Sequence, residues 1–302
     1  MDEKDWIMLQ CLYEERNITK AAEKLYISQP AMTYRLKQLE KEFGAKIVAR
    51  GKKGVEFTPQ GEYIAKYARN MILQLRNTKE YVRNMDEEVR GILRIGASSN
   101  FSRYELPSIL HKFVSKYPDV EIQLRTGWSF DIVHLLQKEE VHLGIVRGNY
   151  AWQEEKHLLR EESLYIVSKN PINDLKELPS LPRINYGTDQ TLKTLIDHWW
   201  QETYDQSPTI TMEVDRIDTC KELILTGMGY AILPGISLKQ NDHLHKIELT
   251  TKDQKPLTRN TWLIYRERSL ELSVVKVFIE FLKKCLTPFV LYRTKGVRHL
   301  FP

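Results

Sequence analysis

Downstream of Gly91 the chain repeats one grammar. Short apolar runs alternate with amphipathic stretches: ILRIG, YELPSILHKFVSKY, VEIQL, FDIVHLLQKE, LGIV. Strand–helix–strand order of this kind implies a parallel sheet covered by helices, because parallel neighbours need a crossover and the crossover helix must bury its apolar face. The pattern resumes with LYIVS, RINY, LKTLIDHWWQETY, ITMEV, CKELILTGMG, YAILP and TWLIY, and closes on a helix near residues 271 to 285. With a soft boundary near residue 163, an α/β region of two lobes is expected over 90–302. Lobe I takes about 90–163 and 264–286, lobe II about 164–263, and 287–302 is a tail.

A chain of 302 residues has room for more than this region. Residues 1–58 are dense in short helical patterns. TKAAEKL and SQPAMTYRLKQLEKEFG are two helical stretches joined by a tight Tyr26-Ile27 turn. Ser28 suits an N-cap, Pro30 the first turn and Gly44 the stop. Met32, Leu36, Leu39 and Phe43, spaced 4, 3 and 4, share one face, expected to pack on Leu9, Leu12, Ala21, Ala22 and Leu25. The outer face carries small polar, amide and cationic groups, which suits a helix lying in a DNA major groove. KIVARGKKGVEFT then reads as a β-hairpin with a basic tip, the wing of a winged helix-turn-helix, placed to reach phosphates. Candidate DNA contacts are Thr19, Ser28, Gln29, Pro30, Ala31, Thr33, Tyr34, Arg35 and Lys37, with Arg50, Lys52 and Lys53 on the hairpin. A solvated polar helix face is the plain alternative. The net charge of +5 permits a nucleic-acid partner without requiring one.

Between these regions, residues 59–89 read as one linker helix capped by Thr58. Ile64, Ala68, Met71, Leu75, Thr78, Val82, Met85 and Val89 are spaced 4, 3, 4, 3, 4, 3 and 4, a sustained heptad seam. About 30 helical residues span roughly 45 Å, too far for one small domain to cover, so the seam is expected to form a homodimer. Two-fold symmetry then matches inverted half-sites in DNA.

Ligands of open parallel sheets bind beyond the carboxyl ends of the strands. Three such ends carry the right chemistry. Ala97-Ser98-Ser99-Asn100 precedes a helix expected near Leu106-Pro107. Arg125-Thr126-Gly127-Trp128-Ser129 precedes another, and Arg147-Gly148-Asn149 ends LGIV. Hydroxyls, backbone N–H groups and a guanidinium together describe an anion site. For Arg147 two readings stay open: a salt bridge to a protein carboxylate, or a ligand that brings the negative charge.

Catalytic and cofactor signatures are missing. There is no GxSxG elbow, P-loop, dinucleotide glycine motif or HExxH, and the eight histidines are scattered. Three widely separated cysteines show no metal spacing. The cleft is expected to bind rather than transform, with no catalytic residues, cofactor or metal. No apolar run is long enough to span a bilayer, and MDEKDW is unlike a signal peptide. The cytoplasm is the expected compartment, with the protein on the nucleoid when bound.

ITKAAEKLYISQPAMTYRLKQLEKEFGAKIVAR and GVEFTPQGE resemble the N-terminal signature of LysR-type transcriptional regulators, and the resemblance covers nearly the whole chain. It implies a regulator whose periplasmic-binding-protein-like domain holds an effector between two lobes, and dimers that pair into tetramers on an inverted-repeat operator. TGWS, VHLGIVRGN, DTCKEL, GYAILP and RNTWL look most like the branch around catabolite control protein C, the citrate-responsive regulator. By that likeness Ser98, Ser129, Arg147 and Arg259 occupy citrate-contacting positions. Ser99 is a neighbour, and Asn100 and Trp128 belong to the same loops. An amino acid or another small anion is the alternative effector. A third reading is an enzyme or solute-binding module with an accessory helical segment. LTPFVLYRTKGVRHLFP departs from the family pattern by running past its last expected helix.

Overall fold

The computed structural model describes residues 1–51, 54–83, 89–238 and 243–286. It divides into two compact units, Met1–Met85 and Asp86–Pro302.

The first unit contains α1 (Glu3–Glu15), α2 (Ile18–Lys24), α3 (Gln29–Phe43), a hairpin of β1 (Val48–Gly51) and β2 (Gly54–Phe57), and α4 (Pro59–Arg83). Local chemistry sets the ends. Asp2 and Asp5 form a capping box on α1, and Asn17 caps α2. The Ser28 hydroxyl accepts from the Ala31 N–H, and Gly44 closes α3 at φ 62°. Met8, Leu9, Leu12, Ala21, Ala22, Met32, Leu36 and Leu39 form the core, joined by Ile64 and Ala68 of α4. Phe43 departs from the wheel reading: it is 41% exposed, in the last turn of α3 beyond the cover of α1 and α2.

Thr58 caps α4 by accepting from the Gly61 N–H at 2.9 Å. A Cβ on Gly61 would stand 1.9 Å from the Ile47 carbonyl oxygen, so glycine is what lets α4 start against the root of the hairpin. The seam along α4 divides. Ile64 and Ala68 are consumed by the unit's own core, Met71 and Leu75 are half-buried, and Val82 is exposed. Met85 lies outside the described residues and Val89 is not helical, so the helix does not reach 89.

The second unit is built on β3 (Gly91–Ser98), α5 (Ser99–Tyr104), α6 (Leu106–Lys116), β4 (Val120–Gly127), α7 (Ser129–Gln137), β5 (Leu143–Arg147) and β6 (Glu155–Ser168). Then follow β7 (Arg183–Tyr186), α8 (Gln190–Thr203), β8 (Ile210–Val214), α9 (Ile217–Leu225), β9 (Tyr230–Pro234), β10 (His245–Glu248), β11 (Thr258–Tyr265) and α10 (Ser273–Leu286). The strands run β4-β3-β5-β11-β6-β9-β7-β8, with β10 paired to β6. β3, β4 and β5 are parallel, as are β7, β8 and β9, while β6 and β11 run antiparallel between them. The sheet is therefore mixed and the unit two-lobed. Long β6 pairs with β11 as far as Ser163 and with β9 from Leu164, so a single strand passes from one lobe into the other.

Each lobe has its own core. Leu93, Ile95, Phe101, Phe113 and Phe278 lead one, with Ile132, Leu136 and Val146 on the other face of the same sheet. Leu164, Ile196, Trp199, Trp200 and Tyr230 lead the other lobe, opposite Ile184, Cys220 and Leu233. Trp199 and Trp200 are core residues of this lobe. The helix expected near Leu106-Pro107 is α6, but a further short helix, α5, precedes it and begins at Ser99 directly after β3. Ser99 and Asn100 are thus first-turn residues of α5 rather than loop.

Candidate effector cleft and DNA-reading helix

A cleft of about 590 Å³ opens between the lobes. Ser98, Ser99, Asn100, Trp128, Ser129, Arg147 and Arg259 all line it. β3, β4 and β5 deliver the serines and Arg147 to neighbouring strand ends, while β11 carries Arg259 in from far along the chain. The Arg147 N–H donates to the Ser129 hydroxyl at 2.9 Å, tying the β5 end to the α7 start. The Ser99 hydroxyl donates to the Gly127 carbonyl at 3.2 Å. The Ser98 hydroxyl is buried and has no hydrogen-bond partner among the described residues.

Gly148 shapes the wall. Its φ is 99°, a conformation costly for other residues, and a Cβ would stand 2.3 Å from the Thr191 hydroxyl oxygen. Its N–H donates to the Asn260 carbonyl at 2.9 Å.

The salt-bridge reading of Arg147 finds its carboxylate. Arg147, 1% exposed, donates to Glu162 of β6, which is buried as well. The second Glu162 oxygen accepts the Ile236 N–H at 2.5 Å. Burial pushes the Arg147 guanidinium below its ordinary value, and the like charge of Arg259 adds to this. Arg259 has its own partner, Asp189, the N-cap of α8. It also donates to the Arg147 carbonyl at 3.3 Å. Burial alone would raise the Asp189 carboxyl. Arg259, the Thr191 hydroxyl at 2.5 Å and the Leu192 N–H at 3.0 Å outweigh it and hold the group below the usual aspartate value.

Sequence reasoning missed several groups in and beside this lining. Arg103 and Tyr104 of α5 meet Asp218 of α9 at 3.0 and 2.5 Å, joining the lobes across the cleft. Burial, then Asp218, raises the Tyr104 phenol above its ordinary value. Arg216 lines the mouth, its guanidinium without an ion pair among the described residues. Asp189 and Arg216 follow RINY and ITMEV, so the strand-end rule used for the first lobe would have found them in the second. The lining is four guanidiniums (Arg103, Arg147, Arg216, Arg259) against three carboxylates (Asp189, Asp215, Asp218). No group of three metal-ligating side chains occurs among the described residues.

In the first unit, Thr19, Ser28, Gln29, Pro30, Ala31, Tyr34 and Lys37 are exposed, and Thr33 is half-buried. The Thr33 hydroxyl donates to the Gln29 carbonyl at 2.9 Å. Tyr26, in the turn at φ 55°, is 97% exposed. Arg35 differs from its neighbours. Two of its nitrogens donate to both oxygens of buried Asp5 at 2.6 Å, and a third to Gln38 at 2.9 Å, so its fork holds α3 to α1. Lys52, Lys53 and the Arg50 side chain lie outside the described residues.

Residues 4–62 match the family model of the bacterial regulatory helix-turn-helix protein, lysR family, and residues 86–286 match the LysR substrate binding domain. The chain belongs to the LysR family of transcriptional regulators, DNA-binding proteins with an effector-binding domain. It is 47% identical over 283 residues to the uncharacterized HTH-type transcriptional regulator YraN of Bacillus subtilis (strain 168), covering 94% of this chain and 98% of that protein. It is 38% identical over 281 residues to the uncharacterized regulator YkuM of the same organism, covering 92% and 96%. Among solved structures, full-length CbnR complexed with its target DNA superposes with a TM-score of 0.66 at 18% identity, covering 94% of this chain and 99% of that one. That likeness speaks for the fold.

Proposed function

We propose that this regulator senses a small carboxylate in the interlobe cleft, a di- or tricarboxylate of the citrate type first, as in the branch resembling catabolite control protein C. The observation that carries the reading is the buried Ser98 hydroxyl, unpartnered among the described residues, in the lining of a cleft that also holds Arg147 and Arg259. A buried hydroxyl without a partner is costly, and a ligand oxygen satisfies it.

The protein's own carboxylates supply the switch. Without ligand, Arg259 is matched by Asp189 at the start of α8. An incoming carboxylate competes for Arg259, and Arg216 at the mouth adds charge. Release of Asp189 loosens the hold of α8 on β11, and the balance of lobe arrangements shifts by the ligand's difference in affinity for them. The shifted lobes alter the spacing of the DNA-reading heads in the oligomer. The heads are winged helix-turn-helix units reading an inverted-repeat operator through Thr19, Ser28, Gln29, Pro30, Ala31, Thr33, Tyr34 and Lys37, with Arg50, Lys52 and Lys53 at phosphates. Arg35 positions α3 through Asp5. The homodimer forms through the exposed end of the α4 seam, and dimers pair into tetramers. Such a regulator works where the chromosome is, in the cytoplasm.

Calorimetry of the full-length protein with citrate tests the site. Binding that weakens about tenfold or more in Ser98→Val is the expected result, and equal heats from both proteins refute it. Asp189, Asp215 and Asp218 in the lining favour one second reading, a zwitterionic amino acid, which the same titration with L-glutamate separates. For DNA, Thr33→Ala/Lys37→Ala should abolish sequence-specific shifts on the operator while leaving weak non-specific binding.

A further inference from the structure

Lobe II contains a second cavity, of about 300 Å³, between the β7–β8 face and α8. At its base stands Arg183, a charged side chain only 7% exposed. Its guanidinium lies over the Trp200 ring, 5.2 Å from the centroid, and has no ion pair or side-chain hydrogen bond among the described residues. Tyr186 also lines the cavity, and its buried hydroxyl has no hydrogen-bond partner among the described residues. Arg147 and Arg259, equally buried, each have a carboxylate. Arg183 is the exception, and an unmatched buried guanidinium calls for an anion.

The remaining walls narrow the ligand. Ile196 and Ile232 make the sides apolar. The rim carries Lys193, Asp197 and Glu213, all exposed. With Arg183 below, two cations face two carboxylates, so the cavity has no net formal charge. A simple anion would satisfy Arg183 and then meet Asp197 and Glu213 at the mouth. A ligand with an adjacent carboxylate and ammonium satisfies both ends, and an aliphatic side chain fits between the isoleucines.

We infer that this cavity is a second small-molecule site, specific for an aliphatic α-amino acid. Its carboxylate binds Arg183 and its ammonium the Asp197–Glu213 rim. The cavity shares Gly187 and Thr188 with the interlobe cleft, so a test must tell the two apart.

Calorimetry of the full-length protein with L-leucine, 4-methylpentanoate (no ammonium) and 3-methylbutylamine (no carboxylate) makes the distinction. L-leucine should bind wild type and the cleft variant Ser98→Val equally, and each half-ligand about tenfold more weakly or worse. Arg183→Gln should abolish binding. Because that residue is buried, Asp197→Asn on the exposed helix face is the companion variant. It should weaken L-leucine about threefold or more while leaving 4-methylpentanoate unchanged. The inference is overturned if L-leucine gives no heat, if all three compounds bind alike, or if Ser98→Val loses L-leucine while Asp197→Asn keeps it. Failure of citrate in the cleft leaves these outcomes untouched.

Discussion

Consider Glu162→Gln. The change keeps the shape of the side chain and an oxygen for the Ile236 N–H, but removes the charge opposite Arg147. Both members of the pair are buried, so water cannot take over. Removing one partner of a buried pair costs about 3–5 kcal/mol, because the other is left uncompensated. The retained amide oxygen places this variant near ~3 kcal/mol. With a urea dependence of about 2–3 kcal/mol/M for a unit of this size, the midpoint should fall by roughly 1–1.5 M. Tryptophan fluorescence of the full chain during urea titration reads it out, since five of the six tryptophans lie in the second unit. The paired replacement Arg147→Met/Glu162→Leu removes both charges together. It should return to within about 1 kcal/mol of wild type or exceed it, while losing carboxylate binding. A single-variant shift under about 0.3 M would refute the reasoning, as would a double variant as unstable as Glu162→Gln.

Other substitutions probe separate parts. The lowered Asp189 carboxyl makes stability depend on acid: its contribution is complete above the unfolded value of about 3.9 and fades as pH falls through the lower folded value. Thermal midpoints between about pH 5 and 3 should therefore drop more steeply in wild type than in Asp189→Asn. Gly148→Ala should cost about 1–3 kcal/mol from its positive φ and the Thr191 clash. Adding Thr191→Ala should recover the steric part only, as thermal shift would show. Arg35→Ala strands the Asp5 carboxylate and should destabilise the first unit by about 1–3 kcal/mol, reducing DNA binding without touching citrate affinity. Val82→Glu, at the exposed end of the seam, should move sedimentation toward the monomer; an unchanged sedimentation profile places the dimer contact elsewhere.

Some of the site was legible because its signals are local. Ser98 and Ser129 stand where an apolar strand gives way to a helix, and Arg147 ends an apolar strand, patterns contained within a few residues. Caps were legible for the same reason, and Ser28, Gly44 and Thr58 all serve as read. Phe43 failed because periodicity assigns a face but not the length of the neighbour covering it. The α4 seam shows the same limit. Its spacing is regular from Ile64 onward, yet the unit's own core uses only the first part.

The sequence alone determined a two-part chain: a helix-turn-helix unit with a polar outer face, and an α/β region whose strand ends gather hydroxyls and guanidiniums. Those properties rest on period and caps, interactions between residues a few positions apart. The partner of Arg147 was decided by tertiary structure. Glu162 sits in the middle of a strand with no local mark. It meets Arg147 because β11 lies between β5 and β6 in a register that sets Thr261 opposite both Arg147 and Arg160, and side chains two apart on a strand share a face. Asp189 likewise reaches Arg259 only when the start of α8 is brought against β11. A guanidinium can be read from one letter; whether it waits for a ligand or already has a partner depends on strands brought together from distant parts of the chain.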